Sequence, residues 1–113
     1  MKYVIAMIQP EKLEDVQCAL KQKGINLMTV SQVMGRGRQQ GITRVYRGRK
    51  ESGDLLKKIK IEIAVNDDYL EAAIESINSA AKTGKIGDGK IFVFELEQCI
   101  RISSGETGSV AIG

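Results

Sequence analysis

The sequence predicts an α+β fold in which one antiparallel sheet carries its helices on a single face. Three observations predict it. Four short stretches have strand character, two stretches between them carry apolar residues at helical spacing, and the order is β-α-β, a long polar segment, then β-α-β again. With 113 residues the chain is one domain, and its halves echo each other as strand, polar turn, helix, glycine, strand.

The first strand is Tyr3 to Ile8, short, apolar and bounded by Pro10. Pro10, Glu11, Glu14 and Asp15 suit a helix N-terminus. Leu13, Val16, Ala19 and Leu20 then recur at helical spacing until Lys21, Lys23 and Gly24 close the helix. Leu27 to Met34 is a strand rich in Val, Thr and Ser, ending at Gly35-Arg36-Gly37. From Gly37 to about Asp54 the chain is polar and without apolar periodicity, which predicts a long exposed loop; loops of this length in a small domain carry function or disorder. Ile59, Ile61, Ile63 and Val65 alternate with Lys58, Lys60 and Glu62, the clearest strand. Asn66-Asp67-Asp68 offers N-caps to a helix with Leu70, Ala73, Ile74, Ile77 and Ala81 on one face. A strand from Lys90 to Leu96 and an extended piece from Cys99 to Ile102 follow, and the Gly- and Ser-rich tail 103–113 is expected to be mobile unless something holds it. This order is the double split-βαβ, ferredoxin-like arrangement. Apolar residues on both strand faces predict that the helix-free face is covered by assembly.

Composition narrows the function. Seventeen Lys and Arg against fourteen Asp and Glu give a net charge of +3, compatible with anionic ligands but too mild to indicate nucleic acid. Cys18 and Cys99 are not in a Cys-x-x-Cys spacing, so neither a zinc site nor a disulfide framework is expected. The first residues are too short for a signal peptide and no apolar run reaches membrane-spanning length, so a cytoplasmic location is expected. Without histidine there is no Ser-His or Cys-His dyad and no ready proton shuttle at neutral pH, which favours binding over catalysis.

The stretch with the most chemical content is Thr83-Gly84-Lys85-Ile86-Gly87-Asp88-Gly89-Lys90, between the second helix and the last strand. Its plainest reading is a helix C-cap and tight turn. Yet its glycines can reach positive φ and turn backbone N–H groups on a ligand, and Lys85 and Lys90 supply cations, so it also reads as a phosphate cradle. Gly84-x-x-x-x-Gly89-Lys90 has Walker A spacing, but Ile91 replaces the hydroxyl residue that would hold magnesium. The order is also helix to strand, the reverse of a P-loop. Gly35-Arg36-Gly37-Arg38-Gln39-Gln40-Gly41 misses the dinucleotide fingerprint because Gln40 stands at its last small-residue position and no helix follows. An RNA-binding sheet is disfavoured by the position of Lys90-Ile91-Phe92-Val93-Phe94 on the last strand and by an aromatic content of 4%.

The run TGKIGDGKIF from Thr83 to Phe92, with Gly35-Arg36-Gly37-Arg38-Gln39, Tyr46-Arg47-Gly48, Met28-Thr29-Val30 and Arg101 with Gly105-Glu106, closely resembles the PII nitrogen-regulatory signal proteins over nearly the whole chain. The resemblance implies a homotrimer of ferredoxin-like subunits that binds ATP or ADP between subunits and, with Mg2+ and ATP, also 2-oxoglutarate. It implies nucleotide contacts from Gly87, Asp88, Gly89 and Lys90, from Gly35, Gly37 and Arg38 across the cleft, from Thr29 at the adenine edge, and from Arg101. Gln39 matches the residue holding Mg2+ and 2-oxoglutarate; Gly41 and Lys58 complete the 2-oxoglutarate set. Tyr46 and Arg47 match the loop tip that meets partners, with a membrane ammonium transporter as first target and glutamine synthetase or a nitrogenase component as alternatives.

Four positions depart from the family pattern. Ser103 stands where many relatives have a second arginine, Glu51 replaces the nucleotidylated loop tyrosine, and Gln40 and Gln9 occupy places near 2-oxoglutarate where lysine and other residues are usual. An alternative of a different class is a slow ATPase using Asp88 and Lys90.

Overall fold

A computed structural model describes residues 1–36, 45–46, 49–50 and 55–113, with the backbone alone at 45–46 and 49–50. Strand β1 (Lys2–Ile8) leads through a 3-10 turn (Pro10–Lys12) into helix α1 (Leu13–Gln22) and strand β2 (Thr29–Gly35). Two-residue strands β3 (Val45–Tyr46) and β4 (Arg49–Lys50) pair antiparallel with each other. Strand β5 (Leu56–Val65), a 3-10 turn (Asp67–Tyr69), helix α2 (Leu70–Ala81), strand β6 (Lys90–Glu95) and the short helix α3 (Ser109–Ile112) complete the chain.

The main sheet has the order β2-β5-β1-β6 with every neighbouring pair antiparallel. Each βαβ unit therefore has a strand of the other unit inserted between its own two, which is the ferredoxin-like fold the sequence predicts. The alternation read in β5 is realised: Ile59, Ile61, Ile63 and Val65 are buried while their neighbours are partly exposed. Opposite them in register, Val4, Ala6 and Ile8 of β1 are buried on the same face. Val16 and Leu20 of α1 and Ala73, Ile77 and Ala81 of α2 close the core over that face.

The first helix ends in a Schellman motif. Ile25 N donates to Leu20 O and Gly24 N to Lys21 O, both at 3.0 Å, with Gly24 at φ +79° and Ile25 buried beyond it. At the start of α2 the outcome differs from the expected side-chain cap: neither Asn66 nor Tyr69 caps, and a 3-10 turn at Asp67–Tyr69 precedes the helix. Asp67 instead accepts from the Met1 amino group at 2.9 Å and Lys2 Nζ at 3.1 Å, a use that outcompetes capping because both donors are charged.

One C-terminal expectation is corrected. Cys99 to Ile102 is not an extended piece but enters a turn closed by a bridge between Ile100 and Thr107. The tail beyond it folds back: Gly108 N donates to Cys99 O at 2.9 Å, Asn66 Nδ2 to Ser109 O at 3.2 Å, and Ala111 is buried. Among the described residues no helix is long and apolar enough to cross a membrane.

Candidate functional site

The stretch between α2 and β6 is a preformed turn whose shape depends on its glycines. Gly84, Gly87 and Gly89 have φ of +86°, +105° and +103°, a region costly for any residue with a Cβ. At Gly89 the constraint is absolute in practice, because a Cβ there would stand 1.7 Å from the carbonyl oxygen of Met7. Only glycine lets this turn lie against β1.

Four side chains fix the turn. Asp88 Oδ2 accepts from the backbone N–H of Thr83 at 2.8 Å and of Gly84 at 2.9 Å, and Asp88 Oδ1 accepts from the Thr83 hydroxyl at 2.5 Å. These bonds, the Thr83 hydroxyl foremost, hold the Asp88 carboxyl below the usual aspartate range. From the other side, Lys58 Nζ and Gln9 Nε2 both donate to Gly87 O, at 2.9 and 3.1 Å. A cleft of about 420 Å3 opens beside the turn, bordered by Ile74 and Asn78 of α2, by Lys82 just beyond it, and by Asp88, Gly89 and Lys90.

Gly35, at the end of β2, joins the same end of the sheet, since a Cβ on it would lie 3.7 Å from Lys58 Cγ. The fold therefore collects Gly35, Lys58, Gly87, Asp88, Gly89 and Lys90 at one end of the sheet, with three of these backbone positions free of side-chain bulk. Glycine backbone without side-chain bulk beside two lysines suits an anionic ligand.

Thr29 and Arg101 are not there. Thr29 opens β2 opposite Glu62, six residues and roughly 20 Å of strand from Gly35. Arg101 belongs to the C-terminal segment at that opposite end. Its Nη2 donates to Val110 O at 3.5 Å and Ala111 O at 3.4 Å, and its Nε lies 3.5 Å from Glu106 Oε1. One chain thus holds two separate groups of predicted contacts. Gly37, Arg38, Gln39, Gly41 and Arg47 lie outside the described residues, and Tyr46 is described only as backbone of β3.

Sequence reasoning missed Thr83 and Gln9 as holders of the turn. For Thr83 a signal existed, since a hydroxyl residue and an Asp five positions apart across Gly residues suit a side-chain-closed turn. For Gln9 the resemblance gave a place near 2-oxoglutarate but not the bond to Gly87 O, 78 positions away.

The model of the family described as nitrogen regulatory protein P-II matches residues 1–106. Nitrogen regulatory protein P-II 2 of Methanothermobacter thermautotrophicus is 52% identical over 112 residues, covering 99% of this chain and 97% of that protein. The nitrogen regulatory protein P-II of Klebsiella oxytoca and P-II 1 of Escherichia coli strain K12 are each 51% identical, covering 99% of this chain and all of theirs. A glycine turn pinned to β1, a split βαβ sheet and a match along nearly the full length agree: the chain belongs to the nitrogen regulatory protein P-II family.

Proposed function

We propose that this regulator is a cytoplasmic, non-enzymatic sensor that binds ATP or ADP between subunits of a homotrimer, and that ATP with Mg2+ recruits 2-oxoglutarate. The observation that carries the reading is the division of the predicted contacts between opposite ends of one sheet. A nucleotide touching both groups needs the Gly87–Lys90 end of one copy beside the Thr29 and Arg101 end of the next. Such a heterologous contact closes into a ring when the rotation allows it. The helix-free face supports assembly. Phe92 and Phe94 are about half exposed there and, by register, lie opposite Ile5 and Tyr3.

In this reading Gly35, Gly37, Arg38, Gly87, Asp88, Gly89 and Lys90 form one wall of the site, and Thr29 and Arg101 of the neighbour form the other. Gln39 helps hold Mg2+, and Gln39, Gly41 and Lys58 receive 2-oxoglutarate. Ligand state shifts the segment 37–54 only through unequal affinity for its conformations. That segment, with Tyr46 and Arg47, docks on a target of which a membrane ammonium transporter is the first choice.

Calorimetric titration with ATP, with and without Mg2+ and 2-oxoglutarate, tests the sensor, with the mass of the assembly measured alongside. Micromolar ATP binding to a trimer, tightened by 2-oxoglutarate, is the expected result. No nucleotide binding would sink the reading, and hydrolysis at ordinary enzymatic rates would favour an ATPase. For the target, Arg47→Ala is expected to leave ATP affinity unchanged and to abolish transporter block; unchanged block removes Arg47 from the interface.

A further inference from the structure

We propose that the Asp88 carboxylate is a positioning residue: it staples Thr83 to Lys85 onto the Gly87–Lys90 turn and does not touch the bound nucleotide. The inference rests on the nucleotide reading above and assigns this side chain a different task from its neighbours. Three of its roughly four acceptor sites are already committed. Oδ2 takes the Thr83 and Gly84 N–H groups, and Oδ1 takes the Thr83 hydroxyl. The hydroxyl oxygen then accepts from Lys85 N at 3.2 Å, so three consecutive backbone donors point inward at this one pair of side chains.

That arrangement separates the stretch into two parts. The N–H groups of residues 83–85 are consumed in closing the turn, which leaves Gly87 to Lys90 to face an anion. A carboxylate laid against a polyphosphate would repel it, whereas here the charge is turned toward backbone donors that stabilise it. The second anchor acts from the other side, where Lys58 and Gln9 hold Gly87 O. Anchored at both ends, the turn holds its shape before the ligand arrives, which lowers the ordering cost of binding.

Asp88→Asn keeps size but converts an acceptor to a donor; Thr83→Val removes the hydroxyl as donor and acceptor; Thr83→Ser restores it. Amide hydrogen exchange of the nucleotide-free protein reads the staple directly. Exchange at Gly84 in Asp88→Asn and at Lys85 in Thr83→Val is expected to quicken by at least about tenfold, with Thr83→Ser close to the unmodified chain. Unchanged exchange overturns the staple. ATP titration then separates positioning from contact. Each of Asp88→Asn and Thr83→Val is expected to weaken binding about tenfold, and the double variant no further than the weaker-binding single one. Losses that multiply in the double variant would place Asp88 on the ligand and overturn the proposal. Absence of ATP binding by the unmodified chain would sink the nucleotide reading, and the exchange measurement, made without nucleotide, would still decide the staple.

Discussion

Replacing Gly89 by alanine separates two costs that Gly84→Ala does not. Both positions have positive φ, so both pay the left-handed penalty of about 1 to 2 kcal/mol. At Gly84 nothing lies within 4 Å of the added Cβ, and the penalty should end there. At Gly89 the same carbon would meet Met7 O at 1.7 Å, Met7 C at 2.8 Å and Ile8 Cα at 3.4 Å. These are backbone atoms of β1, paired on both sides by β5 and β6, and they cannot swing aside as a side chain would. The turn must lift instead, straining or breaking the bonds from Lys58 and Gln9 to Gly87 O. Overpacking of this kind costs about 1 to 3 kcal/mol, so Gly89→Ala should destabilise by about 2 to 5 kcal/mol in total. Urea denaturation at one fixed protein concentration measures the difference, and thermal unfolding should show the same order at roughly 4 °C per kcal/mol. ATP affinity should fall in Gly89→Ala much further than in Gly84→Ala. Equal stability of the two variants would refute the reasoning, because it would show that β1 and the turn are not in fixed contact.

Ile61, fully buried at the centre of β5, should cost about 2 to 5 kcal/mol when cut to alanine, read by denaturant unfolding, with the spread set by how far the sheet collapses onto the cavity. Lys58→Met should lower stability by only about 1 kcal/mol, since Gly87 O keeps Gln9, while the strengthening of ATP binding by 2-oxoglutarate is lost in calorimetry. The order of the turn should depend on acid. The folded pKa of Asp88 lies below its unfolded value, so its contribution is complete above the ordinary aspartate range and is lost as pH falls through the depressed folded value. Amide signals of Thr83 and Gly84 followed by NMR should move with that titration and show no step at neutral pH.

How much of this was legible in the sequence differed from element to element. The alternation of β5 and the helical stripe of α2 are local patterns: all four residues expected in β5 are buried, and in α2 Ala73, Ile77 and Ala81 are, with Leu70 and Ile74 partly buried. The need for positive φ at Gly84, Gly87 and Gly89 was legible too, because glycine is the only residue for which it is cheap. What was hidden depends on partners distant in sequence. Asp67 looks like a helix cap until the fold brings Met1 and Lys2 beside it. Gln9 is placed near 2-oxoglutarate by the resemblance alone, and its bond to Gly87 O appears only once β1 delivers it there. The tail reads as loose because its glycines and serines give no apolar signal; Ala111 and the carbonyls near Arg101 hold it through contacts that composition does not reveal. The candidate site followed the same division: the glycine turn was visible, and its separation from Thr29 and Arg101 emerged only from strand order.

Strand β1 touches both ends of this arrangement. Its Met7 carbonyl seats Gly89, and at its start Met1 O accepts from Leu96 N at 3.1 Å while the amino group meets Asp67. Hydrogen-bonded along both edges, it acts as a strut whose length is set by backbone geometry and not by side-chain fit. Core substitutions will therefore loosen or tighten the two contact groups without altering the distance between them. Within one subunit, the separation of the two groups is spanned by the seven residues of one strand.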